Sequence, residues 1–340
     1  MRPRCSMSLC AVAMLVAIGL LLPAPVAAQS VDEGWTLPRT SDGHPDLQGV
    51  WANNSATPLE RPEAWADKAR LTDEELAALR VASKDAVGDG DALFGDQLVL
   101  AAIAGIEATS YDPTTGNYNQ FWIAERDFDH RTSLVIDPPD GRIPDLTPEA
   151  QDRRRDAAVR RDEHPADSYT DRPLQERCVS YGVPRLGAGY NSFYQLFQGA
   201  SHVVFLNEMI HDARVIPIDG QPHLADRVRQ LHGDSRGHWD GDTLVIETTN
   251  YSPQARFRGA SDNLHMIERL TRVGPRTLEY EITITDPTTW TRPWTVMIPL
   301  MGSDDAIFEY ACHEGNIGME GMLAGERAAE REAAAESGSQ

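Results

Sequence analysis

From residue 190 to residue 312 the chain alternates short apolar runs with turn signals, and no stretch of that interval carries a strong helical period. The runs are 193–197, 202–210, 214–218, 242–249, 264–273, 278–285, 294–300 and 306–312. Asp219-Gly220, Asp240-Gly241 and Val273-Gly274-Pro275 punctuate them with residues suited to tight connections. Eight sequential strands without long crossovers predict an antiparallel up-and-down sheet, closed or nearly closed to remove its edges. The alternation is cleanest in 278–285. There Leu278, Tyr280, Ile282 and Ile284 share one face, with Glu279, Glu281, Thr283 and Thr285 opposite.

The half before residue 190 is polar, loop-rich and only intermittently periodic. Thr72-Asp73-Glu74-Glu75 is a capping box that starts a short helix through Leu76, Leu79 and Val81. Residues 88–91 read as a solvated turn, and 97–108 as a second, more apolar helix. A strand at 134–137 runs into the turn Pro138-Pro139-Asp140-Gly141. Thr147 caps a helix with Pro148 at its first position, and this helix runs to about residue 162, polar nearly all round and hence on the surface. The last twenty residues, rich in Ala and Glu, read as a helix or a frayed tail.

The N-terminus changes where these elements are expected to work. Arg2 and Arg4 precede an apolar stretch from Leu9 to Leu22, and Val26-Ala27-Ala28 offers small residues at the positions a signal peptidase reads. The expectation is an exported protein, periplasmic or secreted, cleaved near Ala28. The apolar stretch is short of the ~20 residues a membrane span needs, and no later segment replaces it. The organisation expected is therefore a signal peptide (1–28), an irregular N-terminal segment (29–189), a β-barrel (190–322) and a polar tail (323–340).

Loss of the two arginines moves the formal net charge from −21 to −23. A chain this acidic argues against nucleic acid or anionic lipid as partner, because both call for a basic footprint. Cys5 and Cys10 leave with the signal, and Cys178 and Cys312 remain. In an oxidising compartment that pair is a disulfide candidate, and the alternative is two buried thiols that never meet.

Inward-facing polar residues mark the candidate chemistry. Glu268 interrupts the apolar face Leu264, Met266, Leu270, and Glu208 interrupts Val204, Leu206, Ile210. A carboxylate there is costly unless paired or protonated. One reading is a structural ion pair with Arg214 or Arg269. The other is a pair of carboxylates suited to proton transfer. His211-Asp212, His265 and His313-Glu314 fall in the same half, and a histidine beside a carboxylate can act as base or acid. Trp239 and Tyr280 belong to an aromatic set able to line a ligand cavity. Gly233-Asp234-Ser235-Arg236-Gly237 matches a serine-hydrolase pattern, but a turn and a strand follow where that motif needs a helix. It reads as a bend.

Several motifs carry a resemblance. They are Arg39-Thr40-Ser41-Asp42-Gly43-His44-Pro45-Asp46-Leu47-Gln48-Gly49-Val50-Trp51, Thr57-Pro58-Leu59-Glu60-Arg61-Pro62 and Glu208-Met209-Ile210-His211-Asp212 with Arg214. Gly233–Gly237, Asn263-Leu264-His265 with Glu268-Arg269, and Glu309-Tyr310-Ala311-Cys312-His313-Glu314-Gly315-Asn316 extend it over nearly the whole mature chain. Together they resemble a large family of exported bacterial proteins of unassigned function. Residues 237–244 are similar to a strand pair of lipocalin-like barrels. The resulting expectation is a mainly β fold, an antiparallel lipocalin-like barrel with an irregular, partly helical N-terminal half. Its function is acid–base catalysis, without a cofactor, on a small and largely apolar organic molecule. Glu208 or Glu268 would be the base and His211, oriented by Asp212, the acid, with His313 in the same machinery. Arg214, Trp239, His265, Arg269, Tyr280 and Glu314 would contact substrate. A divalent metal on His211, His265 and His313 is the alternative cofactor, and ligand binding without turnover the alternative function.

Overall fold

A computed structural model describes residues 34–87, 96–105, 126–182, 184–255 and 257–337. The signal segment, the 88–91 turn and the end of the 97–108 helix lie outside the described residues. Ten strands form one antiparallel sheet: β1 (Gly49–Ala52), β2 (Val135–Asp137), β3 (Phe193–Gln198), β4 (His202–Asn207), β5 (Ala213–Pro217), β6 (Asp234–Asp240), β7 (Thr243–Thr249), β8 (His265–Gly274), β9 (Thr277–Thr285) and β10 (Trp294–Ser303). Their order is β5-β4-β3-β1-β10-β9-β8-β7-β6. From β6 to β10 the chain meanders, each strand pairing with the next. Strand β1 then crosses from the N-terminal half into the middle of the sheet, with Trp51 opposite Tyr194 on one side and Gly302 on the other. Strand β10 is long enough to share that edge, giving Met301–Ser303 to β1 and Thr295 and Val296 to β2.

The sheet is not closed into a barrel. Its end strands β5 and β6 approach each other through side chains, without a hydrogen-bonded ladder among the described residues. Gly237 on β6 permits the approach, since a Cβ there would sit 2.7 Å from the Ile218 Cγ2 and 3.2 Å from that of Ile216. Between the two edges a cavity of about 400 Å³ remains.

The core lies on one face. Leu278, Tyr280, Ile282 and Ile284 of β9 pack with Met266 and Leu270 of β8 and with Trp294, Val296, Ile298 and Leu300 of β10, all essentially inaccessible. Helix α1 (Asp73–Val87) starts at the Thr72 capping box, with the Glu75 amide on Thr72 Oγ1 and the Thr72 amide on Glu75 Oε2. It packs Leu76 and Leu79 against Leu98 and Val99 of α2 (Gln97–Ala104), a second small core. Thr147 caps α3 (Pro148–Glu163), which buries only Ala150, and α4 (Ile317–Ser337) closes the described chain. Among the described residues no helix is long and apolar enough to cross a membrane.

Three strand expectations shift. Residues 306–312 form no strand; they are an extended loop tied at Cys312 to Cys178 by a disulfide, with Cα atoms 5.6 Å apart. Residues 233–237, expected as a bend, lead into and form the first half of β6, while the strand pair expected at 237–244 is present as the β6–β7 turn. Strand β4 buries Val203, Phe205 and Asn207, the parity opposite to the one predicted, and it ends before Glu208.

Candidate functional site

Strands β5 and β8 bring Arg214 and Glu268 together in the middle of the core. The pair is bidentate: Arg214 Nη1 donates to Glu268 Oε1 at 2.8 Å and Nη2 to Oε2. Their side chains are 4% and 0% exposed. The Arg214 guanidinium also lies 5.7 Å from the Phe205 ring centroid. Burial by itself disfavours the Arg214 charge, but the Glu268 carboxylate more than offsets this and raises the Arg214 pKa. Tyr280, fully buried beside them, has its pKa pushed up by burial and then by the Glu268 charge. Both oxygens of Glu268 are thus taken and no solvent reaches it. The pair is a buried ion pair; Arg214 also lines the cavity of about 400 Å³ between β5 and β6, and its Nε finds no hydrogen-bond partner.

A second carboxylate lies behind a cavity wall. A cavity of about 800 Å³ has apolar surface from Leu174, Leu186, Leu231, Tyr251 and Phe257, and Glu60, Asp96, Arg185 and Arg258 also line it. His232 lines it, from the loop just before β6. Its Nε2 lies 2.7 Å from Asp212 Oδ2, which accepts from the Ser180 hydroxyl at 2.8 Å. Ser180 is fixed in turn by the Gly182 amide, 3.0 Å away, and is 1% exposed. The His232 contact is an ion-pair distance and not a directed hydrogen bond, since Nε2 finds no partner of hydrogen-bond geometry. The arrangement is a histidine beside a carboxylate on a cavity wall, side chains of the kind general acid–base catalysis uses. Asp212 was expected to orient His211, its neighbour in sequence. It lies against His232 instead, while Ile210 and His211 both have positive φ (63° and 57°) and His211 is exposed.

Compared with models of protein families, with characterised proteins and with solved structures, the chain finds no match. The site therefore rests on its own geometry.

That geometry includes strain. Among the described residues six non-glycines have positive φ: Cys178, Asn191, Ile210, His211, Asn250 and Arg258. Arg258 lines the His232 cavity and Asn250 precedes Tyr251, another lining residue. Ile210 and His211 lie inside the turn that ends in Asp212. Such conformations cost on the order of 1–3 kcal/mol each and concentrate at functional sites; for β-branched Ile210 the position is an outlier.

The other expected residues scatter. Glu208 is buried in the 3-10 turn after β4, and it lines a second cavity. His265 is half-buried and sits 2.7 Å from Glu247, holding the Glu247 carboxyl below its usual range. Arg269 bridges to Asp240 on the sheet surface, and Trp239 stacks on His44 at 4.9 Å between centroids. His313 and Glu314 are exposed beyond the disulfide. His211, His265 and His313 do not gather, and no group of three metal-ligating side chains lies within reach of one ion among the described residues. His232 went unnoticed in the sequence because its partner is 20 residues upstream, across β5 and a loop. The available signal was a histidine next to a glycine at a strand entrance.

Proposed function

We propose that this chain is an exported enzyme that moves protons on a small, largely apolar organic molecule, as an isomerase, lyase or cofactor-free hydrolase does. The observation that carries the reading is His232, backed by Asp212 and Ser180, on the wall of a mostly apolar cavity of about 800 Å³. The His232 imidazole takes a proton from the substrate or from a water, and the nearby Asp212 carboxylate stabilises the imidazolium that results. Ser180 is a positioning residue, holding the carboxylate against rotation. Export draws support from the basic and apolar N-terminal pattern and from the Cys178–Cys312 bridge, since disulfides persist in oxidising compartments.

The test is a panel of small ketones, esters and lactones, assayed with the wild-type chain and with His232→Gln and Asp212→Asn. Turnover of one compound, lost by about 10²–10⁴-fold in His232→Gln, is the expected result. Equal turnover by both chains would remove His232 from the mechanism. The second reading, a binding protein without turnover, is favoured by the closed Arg214–Glu268 pair, which leaves a ligand mainly apolar and aromatic walls. Binding without turnover by the wild type would select it.

A further inference from the structure

The turn that ends in Asp212 begins with Glu208, and Glu208 opens on another space. A cavity of about 890 Å³ is walled by Tyr190, Phe193, Phe308 and Tyr310 together with Glu208, Asp305 and Glu309. No Lys, Arg or His side chain lines it among the described residues. The Tyr190 and Tyr310 rings meet edge to face, with centroids 6.3 Å apart. Glu208 is only 5% exposed, and its Oε2 has no hydrogen-bond partner. Oε1 accepts a long hydrogen bond from the Phe308 amide at 3.5 Å. Burial raises the Glu208 pKa, opposed by the Phe308 and Phe193 amides, the Asn191 side chain and the more distant Arg185 charge. Arg185 itself is committed to the Tyr190 and Asn191 carbonyls.

A desolvated carboxylate without a cation is a costly arrangement that a positive ligand would relieve. The faces of tyrosine and phenylalanine attract the same charge. A bare metal ion would need several oxygen ligands around one point, and among the described residues no three ligating side chains gather so. A hydrophobic ammonium group fits both the ring surface and the single buried carboxylate. The wall that carries Phe308 and Tyr310 is also anchored, since it ends in Cys312 and its bridge to Cys178. We propose that this cavity binds an organic ammonium ion, a quaternary or tertiary amine whose charge sits between Glu208 and the aromatic walls. The site is separate from the His232 cavity, so either can fail without the other.

Calorimetric titration of the mature, oxidised chain with choline and with its uncharged isostere 3,3-dimethyl-1-butanol tests it. Choline is expected to bind at least about tenfold more tightly, and Glu208→Gln to abolish the preference. Phe308→Ala, at a position 74% exposed and therefore safe for folding, is expected to weaken choline several-fold with an unchanged Tm. Equal affinity for the two probes, or no binding of either, would overturn the proposal. So would full choline affinity in folded Glu208→Gln or, should that variant not fold, in Phe308→Ala.

Discussion

Two contacts between a nitrogen-bearing side chain and a carboxylate start from one short segment of this chain and differ in how far they close. In the core, Arg214 and Glu268 satisfy each other with two hydrogen bonds and are shut off from water. At the sheet margin, Asp212 lies 2.7 Å from His232 Nε2 without a directed hydrogen bond, and His232 lines a cavity. Arg214 is two residues beyond Asp212, so both begin from the same short segment. Alternation sends the strand residue inward. The left-handed turn before it sets the aspartate at the rim. A pair that closes on itself holds the fold; one that closes on one side only can exchange a proton. Burial alone does not separate the two cases, and the number of unfilled bonding positions does.

The largest expected effect breaks the closed pair. Glu268→Gln leaves Arg214 charged and buried, and should cost about 3–5 kcal/mol in urea unfolding. Replacing both, as Arg214→Met with Glu268→Leu, should recover most of that loss. A double variant as unstable as the single one would show that the pair contributes more than mutual neutralisation. Next comes the covalent tie. Cys178→Ser with Cys312→Ser opens a loop of 134 residues and should cost about 2–4 kcal/mol in the same measurement.

The open pair should behave in the opposite way. His232→Gln is expected to change stability by about 1 kcal/mol or less while abolishing whatever turnover the chain has. A loss as large as that of Glu268→Gln would place His232 among the structural pairs. The smallest effect concerns Glu208. Its pKa is raised by burial above the ordinary 4.5, so folding favours its protonated form. That contribution is complete below the ordinary value and disappears as pH rises through the raised one. Glu208→Gln should therefore stabilise the chain modestly at neutral pH and lose this advantage in acid. A Tm difference between the two chains that stays constant from pH 7 to pH 3 would contradict it.

Much of the sheet was legible in the sequence, and the failures have identifiable causes. Strand β9 alternates strictly between apolar and polar residues, and β8 keeps enough of the pattern at Met266 and Leu270 around Glu268 for its inward face to be read as well. Strand β4 is apolar at Val203, Val204, Phe205 and Leu206 in succession, which reveals a strand but not its parity. The buried position of Glu208 thus came out right on a wrong argument: the strand stops before it, and the following turn buries it. Strand β6, Asp-Ser-Arg-Gly-His-Trp-Asp, is polar nearly throughout because it lies at the sheet's end. Residues 306–312 read as a strand yet find no partner, since β1 already occupies the free edge of β10. Site residues were less legible. Glu268 and Arg214 showed themselves as charges on apolar faces, whereas the His232–Asp212 contact depends on how a strained turn and a loop fold back, and no local pattern encodes that.

The seat of β1 in the middle of the sheet has a kinetic consequence. Val50 pairs with Ser303, so the contact that joins the two halves of the sheet spans about 250 residues of chain. The meander from β6 to β10 can assemble from neighbours in sequence, but the segment around Trp51 is synthesised early, can pair on one side only once β3 exists, and must wait for β10 on the other. Halting synthesis or translocation anywhere before residue 301 leaves a chain whose central strand has at most one of its two neighbours. Such a species exposes an unpaired strand edge, the feature that makes partly folded β chains associate.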